Sequence, residues 1–188
     1  MRTPAEIADN YMRIMHTVEM SQMIEILGAE LNLSDKLTRA TMKQSVARGR
    51  YFIINEYANA FSLNPNEAYD LDLRDALWVY IEFLKNDPKD TRILSRNNYN
   101  GIDFDRAGQF TRIIPIKDNP EAIVRQLRVD EKEYSEPASY VFLVPSLYHY
   151  RDMKTVYPTD TLVSVSVKQK EPPLITFTDL QGEQESNE

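Results

Sequence analysis

The chain of 188 residues contains no cysteine. Disulfides, thiolate zinc sites and cysteine nucleophiles are excluded by that absence, and a reducing cytosol is the compartment such a sequence suits. Glycine is scarce: Gly28, Gly49, Gly101, Gly108 and Gly182 are the whole set. None belongs to a phosphate loop or a dinucleotide fingerprint, where backbone amides must approach phosphate closely. Nucleotide-dependent enzymes built on those folds are disfavoured, and no cofactor is expected. No apolar run nears the roughly 20 residues needed to cross a bilayer. The N-terminal MRTPAEIADNYMRIMH lacks the basic region, apolar core and small-residue cleavage site of a signal peptide. The expectation is a soluble, cytoplasmic protein with no membrane partner.

Positive charge is also short overall, with a net charge of −7. Most of that deficit sits at one end. Residues 171–188 hold Glu171, Asp179, Glu183, Glu185 and Glu188 with no Lys or Arg, so the body without them carries only −2. Bulk charge therefore selects no class of partner. The closing GEQESNE reads as a flexible acidic tail over 181–188.

Of ten prolines only Pro4 and Pro65 precede Pro88. Proline interrupts helices and central strands, so the asymmetry predicts a helical region over 1–88 and a β-rich region over 89–180, packed together as one compact domain. Thr3-Pro4-Ala5-Glu6 supplies an N-cap hydroxyl, a proline at the first helical position and a glutamate to close a capping box. Ile7, Tyr11, Ile14, Met15 and Val18 continue at helical spacing, which predicts one helix as far as Gly28. Met12, Met15, Met20 and Met23 lie within it, as core filling or as an adaptable contact surface.

A second helix is predicted from Ser34 or Asp35 to about Phe61, with Gly49 at its change from basic to apolar. Asn64-Pro65-Asn66-Glu67 repeats the capping pattern and predicts a short helix. LRDALWVYIEFLK, opened near Asp72 and ended by Asn86-Asp87-Pro88, is apolar on every face and should be central to the core. Beyond it NNYNG is turn chemistry. Strands are predicted at Phe110–Ile116, Tyr140–Val144, Thr161–Lys168 and Leu174–Thr178, the last at an edge, with a short helix from Asn119-Pro120 to about Arg128. The fold class is α+β: three to four helices layered on a small, mainly antiparallel C-terminal sheet.

Four constellations could carry chemistry. Lys36, Arg39, Lys43, Arg48 and Arg50 occur with no acid between Asp35 and Glu56. On a continuous helix turning about 100° per residue, Lys36, Arg39, Lys43 and Arg50 fall within roughly 60° of one another, a stripe that could grip phosphates. Val46, Ile53 and Tyr57 project to nearly the same azimuth, however, which a straight helix could not reconcile with an exposed stripe. A solvated face, paired with the first helix or the tail, is the plainer reading.

Tyrosines gather at Tyr134, Tyr140, Tyr148, Tyr150 and Tyr157. In the run Tyr148-His149-Tyr150-Arg151-Asp152 they offer contact area with a polar tip, so Tyr148, His149, Tyr150, Arg151 and Tyr157 are the expected partner-binding residues. His149 has no serine or carboxylate assigned to it by spacing, and His16 lacks the helical partner that metal ligation needs. Asp103 and Asp105 share a face of any extended segment and could hold a divalent cation. The preceding NNYNG is no EF-hand loop, since aligning Gly101 with the loop glycine puts Arg96 first and Ala107 last. No metal site is assigned. Asp70, Asp72 and Asp75 are explained by a helix start.

These patterns point to a non-catalytic protein-binding or assembly protein that meets another protein, or its own copies, through the tyrosine-bearing β-rich surface and the acidic tail. The motif-poor, cysteine-free composition suits a phage or mobile-element origin, as a virion component or a host-directed binder. Nucleic-acid binding through 36–50 is the alternative, and a metal-dependent hydrolase at Asp103/Asp105 is the third reading.

Overall fold

The computed structural model describes residues 2–55, 59–117, 119–133, 139–150, 160–166 and 172–179. Helix α1 (Pro4–Met15) begins as its capping residues dictate: the Thr3 hydroxyl accepts from the Glu6 amide, and the Glu6 carboxylate accepts from the Thr3 amide. It does not run on to Gly28. His16 takes a positive φ of 62° and ends the helix, and Thr17–Glu19 becomes strand β1 before α2 (Met20–Leu31) starts. The apolar spacing conceals this break because Met15 and Val18 are both buried, one from a helix and one from a strand. Gly28 lies inside α2, and the true stop is Asn32, left-handed at φ 53°, whose amide donates to Gly28 O. Met12, Met15, Met20 and Met23 are all buried, as core filling requires.

The predicted helix from 35 to 61 is likewise shorter. Helix α3 (Asp35–Ala47) closes at Arg48 and Gly49, the latter at φ 69°. Strands β2 (Phe52–Asn55) and β3 (Ala60–Ser62) follow, and β3 pairs antiparallel with both β1 and β2. Partners from distant segments thus override helical spacing. Residues 64–67 form a turn instead of the expected short helix, with Asn64 Oδ1 accepting from the Asn66 amide. Helix α4 (Leu71–Asn86) is capped two residues before Asp72, by Asp70, which accepts from the Asp72 and Leu73 amides. Leu73, Ala76, Leu77, Trp78, Val79, Tyr80, Ile81 and Leu84 are buried, which makes α4 the central helix.

The second sheet has six strands in sequence order: β4 (Thr91–Arg96), β5 (Ile102–Arg106), β6 (Gln109–Pro115), β7 (Ser139–Leu143), β8 (Thr161–Ser166) and β9 (Leu174–Asp179). Pairing is antiparallel at β4–β5, β5–β6 and β8–β9, and parallel at β6–β7 and β7–β8. The parallel step follows from α5 (Pro120–Glu133), which carries the chain back between β6 and β7. Helices cover both faces. Ile93, Ile102, Phe104, Ile113, Val141, Leu143 and Val163 join the large apolar cluster of α1, α2 and α4. Ile114, Tyr140, Phe142 and Leu162 meet Val124 and Leu127 of α5 on the other side. Gly101 is obligatory at the β4–β5 turn, because a Cβ there would stand 1.8 Å from the Ile113 carbonyl oxygen.

One buried hydrogen-bond chain ties the helices to the sheet. The Ile93 amide donates to the Tyr80 hydroxyl at 3.1 Å, and Tyr80 lies 3.0 Å from the Tyr11 hydroxyl. Tyr11 donates to Glu30 at 2.8 Å, and Arg2 closes the chain by donating to Glu30 at 3.0 Å. With the Tyr11 hydrogen committed to a carboxylate, the Tyr80 hydrogen must point to Tyr11. Burial pushes the Tyr80 phenol up to about 12 and raises Tyr11 well above its ordinary value.

Candidate functional site

Helix α3 is held by a narrow stripe. Thr38, Met42 and Ser45 are its buried residues, at spacings of four and three that stack them on one side. Lys36, Arg39 and Lys43 are all exposed, clear of that stripe. None of them, nor Arg48, enters an ion pair among the described residues. The sequence-based objection to the stripe is met only in part: Ile53 belongs to β2 and not to the helix, but Val46 stays in α3, half-buried against the core, and Tyr57 lies outside the described residues. Arg50 leaves the stripe, however. It lies past Gly49, outside the helix, and its guanidinium pairs with the buried Asp9 of α1, which also accepts from the Tyr51 hydroxyl at 2.6 Å. The basic face is therefore Lys36, Arg39 and Lys43, while Arg48, the exposed C-cap residue, falls on the opposite side of the helix.

The tyrosine-bearing segment is partly described. Helix α6 (Leu147–Tyr150) is a single turn whose Leu147 and Tyr150 pack on the cluster beneath α5. The Tyr150 hydroxyl donates to Lys117 O at 2.7 Å, while the Lys117 ammonium pairs with Asp72 at 2.7 Å. Tyr148 is turned outward and is 73% exposed, more than any other large apolar or aromatic side chain given as exposed. The His149 side chain, and Arg151 and Tyr157 altogether, lie outside the described residues, as do Tyr134 and the tail from 180. Tyr140 is fully buried and serves the core.

Asp103 and Asp105 do share a face of β5, each with separate work. Asp103 is buried and accepts from Asn97 Nδ2 at 3.0 Å. Arg112 Nε lies 3.3 Å away, close enough for an ion pair but too poorly aligned for a hydrogen bond. Burial raises the Asp103 carboxyl above the usual range, opposed by the Asn97 hydrogen bond and the Arg112 charge. Asp105 fastens the β5–β6 turn by accepting from the Gly108 amide at 3.1 Å. Among the described residues no three His, Asp or Glu side chains gather as a metal site would need. No described helix is long and apolar enough to cross a membrane.

Two features escape sequence reasoning. Asp160 is a buried acid that accepts from the Tyr140 amide at 3.0 Å, anchoring the start of β7. Strand β2 stands at the edge of its sheet with Phe52 37% and Ile53 49% exposed. The apolar run YFIIN with its adjacent isoleucines carried a strand signal that the helical spacing masked. No family model, curated protein or solved structure matches the chain.

Proposed function

We propose that the chain is a non-catalytic binding protein that meets a protein partner through the surface around α6. The presentation of Tyr148 carries this reading: two neighbours of the same turn, Leu147 and Tyr150, are anchored on the core and leave the phenol exposed. A tyrosine held in this way offers large contact area at low entropic cost, as interface anchors do. His149, Arg151, Tyr157 and the acidic tail, which lie outside the described side chains, belong to the proposal on the strength of the sequence, and a virion or host-directed role suits it. The test places a photo-crosslinking residue at 148 and, as a control, at the exposed Val129 of α5. A discrete cross-linked partner at 148 and not at 129 supports the reading. Equal or no cross-linking at both sites refutes it.

Nucleic-acid binding through α3 is the second reading, favoured by the exposure of Lys36, Arg39 and Lys43 without an ion pair among the described residues. It predicts retention on nucleic acid that weakens steeply with salt and is lost in Arg39→Glu/Lys43→Glu.

A further inference from the structure

We infer that the outer edge of β2, with Arg48 and Arg13 near its start, accepts an extended acidic and apolar segment of a partner protein as an added strand. The inference concerns a surface separate from α6, so it stands or falls independently of the reading built on Tyr148.

The edge itself is the first ground. In the order β1-β3-β2 the last strand is paired on one side only among the described residues. Phe52, Ile53 and Ile54 make no hydrogen bond beyond that pairing. Proteins normally blunt such an edge with charge, proline or a covering element, because open amides and carbonyls template another strand. Phe-Ile-Ile-Asn carries neither charge nor proline, and consecutive Phe52 and Ile53 expose apolar surface on opposite faces of the strand. The bulge between Ile53 and Asn55 keeps the open stretch short, so backbone pairing alone would be weak.

Charge is the second ground, and it selects the occupant. The start of β2 is pinned to the last turn of α3, since the Arg50 and Tyr51 amides both donate to Ser45 O. Arg48 closes that turn, exposed and in no ion pair among the described residues. Arg13 adds its field at the neighbouring Tyr51 hydroxyl. Arg50 is already neutralised by Asp9. A second copy pairing β2 with β2 would bring two sets of these cations together, which like-charge repulsion opposes. An acidic strand instead gains both the edge and the charge. Nucleic acid would use the cations but leave the backbone edge and Ile53 unemployed, with Phe52 the one exposed ring of the strand for stacking.

The test uses the full chain and three labelled probes: a ten-residue peptide alternating valine and glutamate, its valine–lysine counterpart, and a single-stranded oligonucleotide of mixed sequence. Binding is followed by fluorescence anisotropy, and amide exchange locates the site. The glutamate peptide should bind, slow amide exchange within β2, and weaken about tenfold or more in Arg13→Glu/Arg48→Glu and in Ile53→Lys, as loss of about 1.4 kcal/mol requires. The lysine peptide should not bind. Equal binding of both peptides, or protection away from β2, overturns the inference. Preferred binding of the oligonucleotide with β2 amides unprotected assigns the surface to nucleic acid. Protection of β2 that grows with protein concentration and no peptide assigns it to a second copy.

Discussion

Replacing Tyr80 by phenylalanine removes one oxygen from a buried site and keeps the ring that stands edge-on to Phe104 at 5.5 Å. That oxygen is the acceptor for the Ile93 amide and the donor to Tyr11. Leaving a buried amide without a partner costs about 1–3 kcal/mol, and the lost hydroxyl pair adds about 1 kcal/mol. The expected destabilisation is about 2–4 kcal/mol, or roughly 6–12 °C in melting temperature at the middle of that range for a chain of this size. Tyr11→Phe should cost less, about 1–3 kcal/mol: the Tyr80 hydrogen loses its acceptor and Glu30 one donor, but the Ile93 amide stays paired and Glu30 keeps Arg2. Urea unfolding of the two single variants and the double variant gives the coupling between the hydroxyls, expected near 1 kcal/mol. A Tyr80→Phe cost below that of Tyr11→Phe would refute the direction of the chain and the role of Tyr80 at β4.

Alkaline stability follows from the same residues. Below the ordinary tyrosine value near 10, folded and unfolded chains keep the phenol protonated, so its contribution is fully present. Between 10 and about 12 the unfolded chain ionises first, and about 2–3 kcal/mol is lost at Tyr80 as pH climbs through that window. A urea midpoint unchanged between about pH 9 and about pH 11.5 would contradict this. Thr38→Val should stabilise the protein by about 1 kcal/mol, since the Thr38 hydroxyl is buried without a partner; a lowered melting temperature argues against that burial. Gly101→Ala should cost more than about 3 kcal/mol, because the new Cβ meets backbone that cannot step aside. A soluble variant with native stability would show that the turn is built differently.

Legibility in the sequence tracked how local each cause was. Helix α4 and strands β6 to β9 could be read because Asp70, Pro88, Pro120 and the Pro172-Pro173 step punctuate a clear period. The ends of α1 and α3 could not. His16 and Gly49 turn the chain so that β1 and β2 can flank β3, and that pairing joins segments far apart with no local signature. The parallel order of β6 to β8 was equally hidden, although the short helix after Pro120 supplied its connection. At the candidate surfaces, Lys36, Arg39 and Lys43 kept their predicted face because helix period alone sets it. Arg50 did not, since its position answers to Asp9 in another helix. Asp103 and Asp105 were correctly placed on one face, but their partners Asn97, Arg112 and Gly108 come from turn and register geometry.

The claim that this chain holds a partner through α6 is tested most directly by quantitative capture from the native cell with the wild-type protein and Tyr148→Ala. Tyr148 is 73% exposed, and the melting temperatures of the two proteins serve as the control that the fold is kept. A partner should be enriched on the wild type and reduced about fivefold or more on the variant, as truncation of an aromatic anchor would produce. An identical captured set on both proteins, or no partner on either, would contradict it.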